Sequence, residues 1–209
     1  MNNTEDAAYH KRNLPHFYIP NECYFITFCL WAKLPYTKMK RLKEHYDHAR
    51  DSLDEDENRS DKEYRLWKSY FNAIDTLLQS SDPEHQYLRD DRLAEIVANS
   101  MHFYNKSDYN LHCYCVMPNH AHFVFTLNEK AHSISKIMKS IKGFTARECN
   151  KILNRKGQFW QDESYDHILR NEREFENIIY YVLNNPVKAG FVEKWRDWQW
   201  NYLAEIPIL

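Results

Sequence analysis

The sequence predicts an α+β protein, an antiparallel sheet with helices packed on one face, on three observations. Aromatic and β-branched segments of strand length alternate with long segments of helical composition. The two best strand candidates, 109–117 and 121–127, meet tightly at Pro118-Asn119 and so pair antiparallel. Only 3 residues are Gly and 15% are aromatic, which suits a packed chain and not a disordered one. At 209 residues, one domain spanning 1–209 with an insertion is expected before two domains.

Each element follows in order. His10 to Pro20 is an arm with two prolines and a basic pair, Lys11 and Arg12. Cys23 to Trp31 predicts the first strand, and Pro35 breaks the chain after it. From Thr37 to about Ser80 the composition turns to Lys, Glu, Asp, Leu and Tyr, typical of helices, and Asp82-Pro83 closes it. We read a helical insertion at about 37–85. Asp90 or Asp91 can cap a helix through about Tyr104, with Leu93, Ile96, Val97 and Met101 at helical spacing. The paired strands come next. Ser133 then caps a long helix with a buried stripe of Ile134, Ile137, Met138, Ile141 and Phe144. Tyr165 to Leu169 is a short strand. Asn171 caps a helix whose apolar face is Phe175, Ile178, Ile179 and Val182, and Pro186 ends it. Trp195, Trp198 and Trp200 predict a tail packed on the core by its indoles. This succession is ferredoxin-like in order.

Charge is uneven. The net is −2, which by itself opposes a nucleic-acid role. Residues 51–63 hold seven acids and two bases, marking an exposed turn. Residues 130–156 hold eight bases and one acid. Lys136, Lys139, Lys142 and Arg147 form either a phosphate-contacting stripe or a solvated helix face. Five cysteines, two of them at 113 and 115 inside a strand, read as reduced thiols of a cytoplasmic protein. No apolar run approaches a membrane span, and no secretory signal opens the chain, so no membrane partner is expected.

Two segments carry chemistry. In Met117 to Phe125, His120 and His122 are one residue apart, and residues i and i+2 of a strand share a face. Such a pair can hold one divalent metal, although single strand histidines are usually structural. In the helix before Pro186, Tyr181 and Asn185 are four apart and stack on one side, flanking the apolar stripe and partly wet. Tyr180 with Asn184 is the competing pair, turned further to solvent. Packing tyrosines are the bland reading of both.

Together these segments resemble the REP-associated tyrosine transposases, IS200-like single-tyrosine members of the HUH endonucleases (histidine, bulky hydrophobe, histidine). The triplet here is His120-Ala121-His122, with a small central residue. Arg12 to Phe17, Tyr24 to Leu30, Ser133 to Asn150, Gly157 to Glu176 and Tyr181 to Val192 resemble the family pattern, whereas 37–85 does not. The resemblance implies the HUH fold type and Tyr181 as catalytic nucleophile. It implies His120, His122 and Asn185 as ligands of Mg²⁺ or Mn²⁺, and His167 as an auxiliary residue for phosphate contact, proton handling or structure. It further implies a metal-dependent single-strand endonuclease and strand transferase that forms a 5′-phosphotyrosine at REP-like hairpins. Lys136, Lys139, Lys142, Arg147, Lys11 and Arg12 would contact single-stranded or hairpin DNA, and the protein would be a monomer or homodimer. The competing classes are a non-catalytic nucleic-acid-binding regulator on the same fold and a metal phosphoesterase that uses water.

Overall fold

A computed structural model describes residues 19–31, 36–55, 58–79, 83–162, 164–169 and 171–205. Five strands form one antiparallel sheet: β1 (Cys23–Cys29), β2 (Tyr109–Met117), β3 (His120–Leu127), β4 (Tyr165–Leu169) and β5 (Asn201–Leu203), in the order β4-β1-β3-β2-β5. The helices are α1 (Tyr36–Asp51), α2 (Arg59–Gln79), α3 (Asp91–His102), α4 (Ile134–Ile152), α5 (Glu172–Leu183) and α6 (Asn185–Lys188). The α+β class and the ferredoxin-like order of β1 to β4 are as the sequence predicts. The sheet is covered on both faces, however, and not on one.

The reason is visible in the burial of β1. A strand with one wet face alternates, but β1 is buried from Tyr24 to Cys29. Tyr24, Ile26 and Phe28 pack with Ala121, Phe123 and Phe125 of β3 against α3 and α4. Phe25 and Cys29 pack with Val124, Cys113 and Cys115 against α2 and α5. The segment 37–85 thus supplies α2 as half of the second layer. Its apolar stripe is Trp67, Tyr70, Phe71, Ile74 and Leu78, at helical spacing.

Local chemistry sets the element ends. The Asp90, Ser133 and Asn171 side chains cap α3, α4 and α5 by accepting from Arg92 N, Lys136 N and Glu174 N. Two details differ from expectation. Phe144 is 46% exposed at the edge of the α4 stripe, with the Arg147 guanidinium 5.8 Å from its ring, while Thr145 and Cys149 are buried instead. Pro186 does not end the helical path. It has no N–H to donate, so α5 stops at Leu183 and a short turn, α6, resumes with Pro186 near its start. β5 is too short for a sequence period to reveal. Trp198 anchors the tail by donating its indole N–H to Val116 O at 3.0 Å.

Candidate metal and tyrosine site

His120 and His122 lie at the start of β3, the central strand, and pair directly with Cys29 and Thr27 of β1. Directly opposed residues share a face, so both imidazoles project into the layer covered by α2 and α5. Both are buried. His120 Nδ1–H donates to Asn119 Oδ1 at 2.7 Å, and Asn119 Nδ2 in turn donates to Leu78 O at 2.7 Å. His122 Nδ1 and Thr27 Oγ1 share a hydrogen bond of 2.8 Å. With its Nδ1–H given to Asn119, His120 keeps a lone pair on Nε2, which faces His122 Nε2 at 3.2 Å. Burial holds the His120 imidazole neutral, down to about 3. Burial, then the neighbouring His120 and Lys188, push His122 down as well.

The last turn of α5 and the start of α6 bring Tyr181 and Asn185 to the same place. The Tyr181 ring centroid is 5.5 Å from that of His122 and 6.0 Å from that of Phe25. Asn185 Nδ2 donates to His122 Nε2 at 2.9 Å. Asn185 is 1% exposed, not partly wet as its helical position suggests, because α2 lies over it. Tyr180, by contrast, is 71% exposed. Tyrosine and histidines come together within a single chain.

Sequence reasoning missed Asp75. It sits on α2 between the core residues Ile74 and Leu78 and is 1% exposed. Its Oδ2 accepts from Tyr181 OH at 2.5 Å, Lys188 Nζ at 3.4 Å and Asn185 Nδ2 at 3.5 Å. Burial pushes its carboxyl up, against the hydrogen bonds from Tyr181 and Lys188. The phenol of Tyr181 is pushed well up too, first by burial and then by the Asp75 charge. Two buried oxygens in this cluster have no hydrogen-bond partner, Asp75 Oδ1 and Asn185 Oδ1. Ligand atoms of Asp75, His120 and His122 lie within 4.8 Å of one another. The signal for Asp75 was a lone carboxylate in the middle of an apolar stripe. For Thr27 it was strand register, and for Lys188 its place one turn past Asn184.

The other predicted residues stand apart. His167 Nε2 bonds Glu174 Oε1 at 2.7 Å and its ring lies 5.1 Å from Trp67. Lys136, Lys139 and Arg147 are exposed along α4. Arg147 pairs with Glu148, and Lys142 donates to Asp162 O at 2.9 Å and Ser164 Oγ at 3.3 Å. Lys139 and Lys142 line a cleft of about 340 Å³ with Gln158 and Trp160. Lys11 and Arg12 lie outside the described residues. Cys113 and Cys115 are buried and burial pushes their thiols well up, so they are inert core residues.

The sequence model of one family, Transposase IS200 like, matches residues 77–185, just over half of the chain. The chain belongs to this family. Among IS200-like relatives, the REP-associated tyrosine transposase of Escherichia coli (strain K12) is 29% identical over 90 residues, 43% of this chain and 52% of that protein. A Haemophilus influenzae relative described in like terms is 28% identical over 96 residues, 42% of this chain and 54% of its own. The chain therefore spans about half the length of the curated relatives it matches. A solved REP-associated tyrosine transposase, bound to a REP hairpin, shares the fold with a TM-score of 0.51 at 17% identity, covering 90% of this chain and 80% of that one. Among the described residues of this IS200-like chain, no helix is long and apolar enough to cross a membrane.

Proposed function

We propose that this protein is a metal-dependent single-strand DNA endonuclease and strand transferase with Tyr181 as its nucleophile, acting beside REP-like hairpins. The observation that carries the reading is one buried cluster in one chain. It joins two imidazole lone pairs, a tyrosine hydroxyl and oxygens left without partners. His120, His122 and Asn185 would hold the cation. The Asn185 amide nitrogen now fills the His122 Nε2 lone pair, and the amide turned over would offer an oxygen there toward a cation set against both Nε2 atoms, 3.2 Å apart. Imidazole suits Mn²⁺, and an amide oxygen, a weaker ligand than a carboxylate, is one that Mg²⁺ or Mn²⁺ accepts. A cation bound there would draw charge from a non-bridging phosphate oxygen and stabilise the leaving 3′-oxygen.

The chain's own residues do the rest. The Tyr181 oxygen attacks phosphorus, the bond from phosphorus to the 3′-oxygen breaks, and the 5′-phosphate stays on the protein as a tyrosyl ester. The released 3′-oxygen leaves as a hydroxyl, the proton it gains balancing the one that Tyr181 gives up. An unperturbed phenol ionises near pH 10, so its proton must be taken during attack. Asp75 Oδ2 already accepts that proton's hydrogen bond. Lys188 Nζ lies 5.9 Å from the Tyr181 ring centroid and is part-exposed, a positive charge beside the phenol. The ester conserves the phosphodiester bond, so a second DNA end can be joined without a nucleotide cofactor. Lys136 and Lys139 on α4 are exposed and suited to the DNA backbone.

The test uses end-labelled hairpin DNA with Mn²⁺, run on a denaturing gel. The expected product is a protein–DNA adduct that disappears with chelator and in His120→Ala and His122→Ala. Strand release with no adduct would identify a phosphoesterase using water. Binding without cleavage would identify a non-catalytic regulator.

A further inference from the structure

We infer that Asp75 is a fourth ligand of the metal, contributed by the inserted helix α2. The inference rests on the proposed metal reading and adds to it a residue outside the 77–185 match. Three observations carry it. The carboxylate of Asp75 and the ring nitrogens of His120 and His122 lie within 4.8 Å of one another, the only such three-residue group of potential ligands among the described residues. Asp75 is 1% exposed, and its two oxygens are used unequally. Oδ2 takes three donors, whereas Oδ1 has none. A buried carboxylate oxygen with no donor is costly, and among the described residues the cation paired with Asp75, Lys188, is held at 3.4 Å on the other oxygen. A metal placed against the two Nε2 atoms would lie within reach of the Asp75 carboxylate, whose unpartnered Oδ1 would then gain a cation.

The charge of the site then changes. His120, His122 and Asn185 are neutral ligands, and two nitrogens with one amide make a weak home for Mg²⁺ or Mn²⁺. One carboxylate supplies the hard, anionic oxygen these ions prefer. Oδ2 holds the Tyr181 hydroxyl, and a cation taken by the unpartnered Oδ1 would tie the nucleophile to the metal through one side chain. The inserted segment acquires a role: α2 closes the second face of the sheet and delivers a carboxylate to the site.

The test is Mn²⁺ binding without DNA, read by the loss of the free-ion paramagnetic resonance signal on titration. The chains compared are wild type, Asp75→Asn, Asp75→Glu and His122→Ala. Thermal midpoints in chelator confirm folding of each. Asp75→Asn keeps size and shape and should weaken Mn²⁺ binding by at least about tenfold, the lower end of what loss of an outer-shell partner costs. His122→Ala should bind more weakly still. The metal-induced rise in thermal midpoint should shrink in the same order. Wild-type affinity in Asp75→Asn alongside loss in His122→Ala would overturn the role of Asp75 and leave the histidine site standing. Absent binding in wild type, or full binding in His122→Ala, would overturn the metal reading itself and this inference with it. If Asp75→Asn does not fold, Asp75→Glu decides. It keeps the charge but moves the oxygens by one methylene, so weakened binding supports the ligand role and unchanged affinity overturns it.

Discussion

Asn119 should hold His120 in its metal-ready form while also fastening α2 to the sheet. Its amide is 7% exposed and makes two 2.7 Å bonds, accepting from His120 Nδ1–H and donating to Leu78 O. Leu78 lies in the last turn of α2, where carbonyls have no partner within the helix. In Asn119→Ala both bonds go. At about 1 kcal/mol for each bond, with a further penalty for the orphaned carbonyl, the loss is about 2–4 kcal/mol. Metal affinity should fall about 10- to 100-fold, as when a histidine ligand loses the group behind it. Asn119→Asp separates the two bonds. It keeps an acceptor for His120 but sets a carboxylate oxygen against the Leu78 carbonyl. Stability should therefore fall about as far as in the alanine variant, while Mn²⁺ affinity holds. Urea denaturation in chelator reads the first quantity and Mn²⁺ titration the second. Wild-type affinity in Asn119→Ala would refute the reasoning. Equal affinity losses in both variants would show that the bond to His120 is not what matters.

Two other outcomes are expected. Lys136 and Lys139 are exposed on α4, so changing both to Gln should lower the log–log salt slope of hairpin binding by about 0.7 per lost single-strand phosphate contact; parallel salt lines of equal height would place the DNA elsewhere. Burial raises the Asp108 carboxyl, but hydrogen bonds from the His132 N–H and ring and the Ser107 hydroxyl outweigh it and leave it below its usual value. A folded value below the unfolded one, near 3.9, stabilises above that pH and is lost as pH falls through the folded value. Asp108→Ala should therefore cost about 1.5–3 kcal/mol at pH 7 and distinctly less near pH 2, by denaturant titration at both; a pH-independent difference would contradict this.

What could be read from sequence depended on how local each relation was. The faces of His120 and His122 follow from the two-residue period of a strand, and that of Tyr181 and Asn185 from the four-residue neighbourhood of a helix. Caps at Ser133 and Asn171 are equally local. Asp75 is 45 residues from His120 in sequence and reaches it only because α2 docks across the sheet. Its one local mark was a charge among Phe71, Ile74 and Leu78. Thr27 required the register of β1 on β3. The same docking explains why Asn185 is buried and why the sheet has no open face. Phe144 failed for a smaller reason: the α4 stripe runs on through Thr145 and Cys149, and Phe144 lies at its edge.

The central claim is that Tyr181 becomes joined to a DNA 5′-phosphate. Tyr181→Phe keeps the ring contacts with Phe25, Trp67 and His122 and removes only the hydroxyl. The most direct measurement is to react the protein with hairpin DNA and Mn²⁺, trim the DNA, digest with trypsin and sequence the Glu174 to Lys188 peptide by tandem mass spectrometry. That peptide carries both Tyr180 and Tyr181. A nucleotide phosphate is expected on Tyr181, retained in Tyr180→Phe and absent in Tyr181→Phe. A modified Tyr180, or an adduct that persists in Tyr181→Phe, would contradict it.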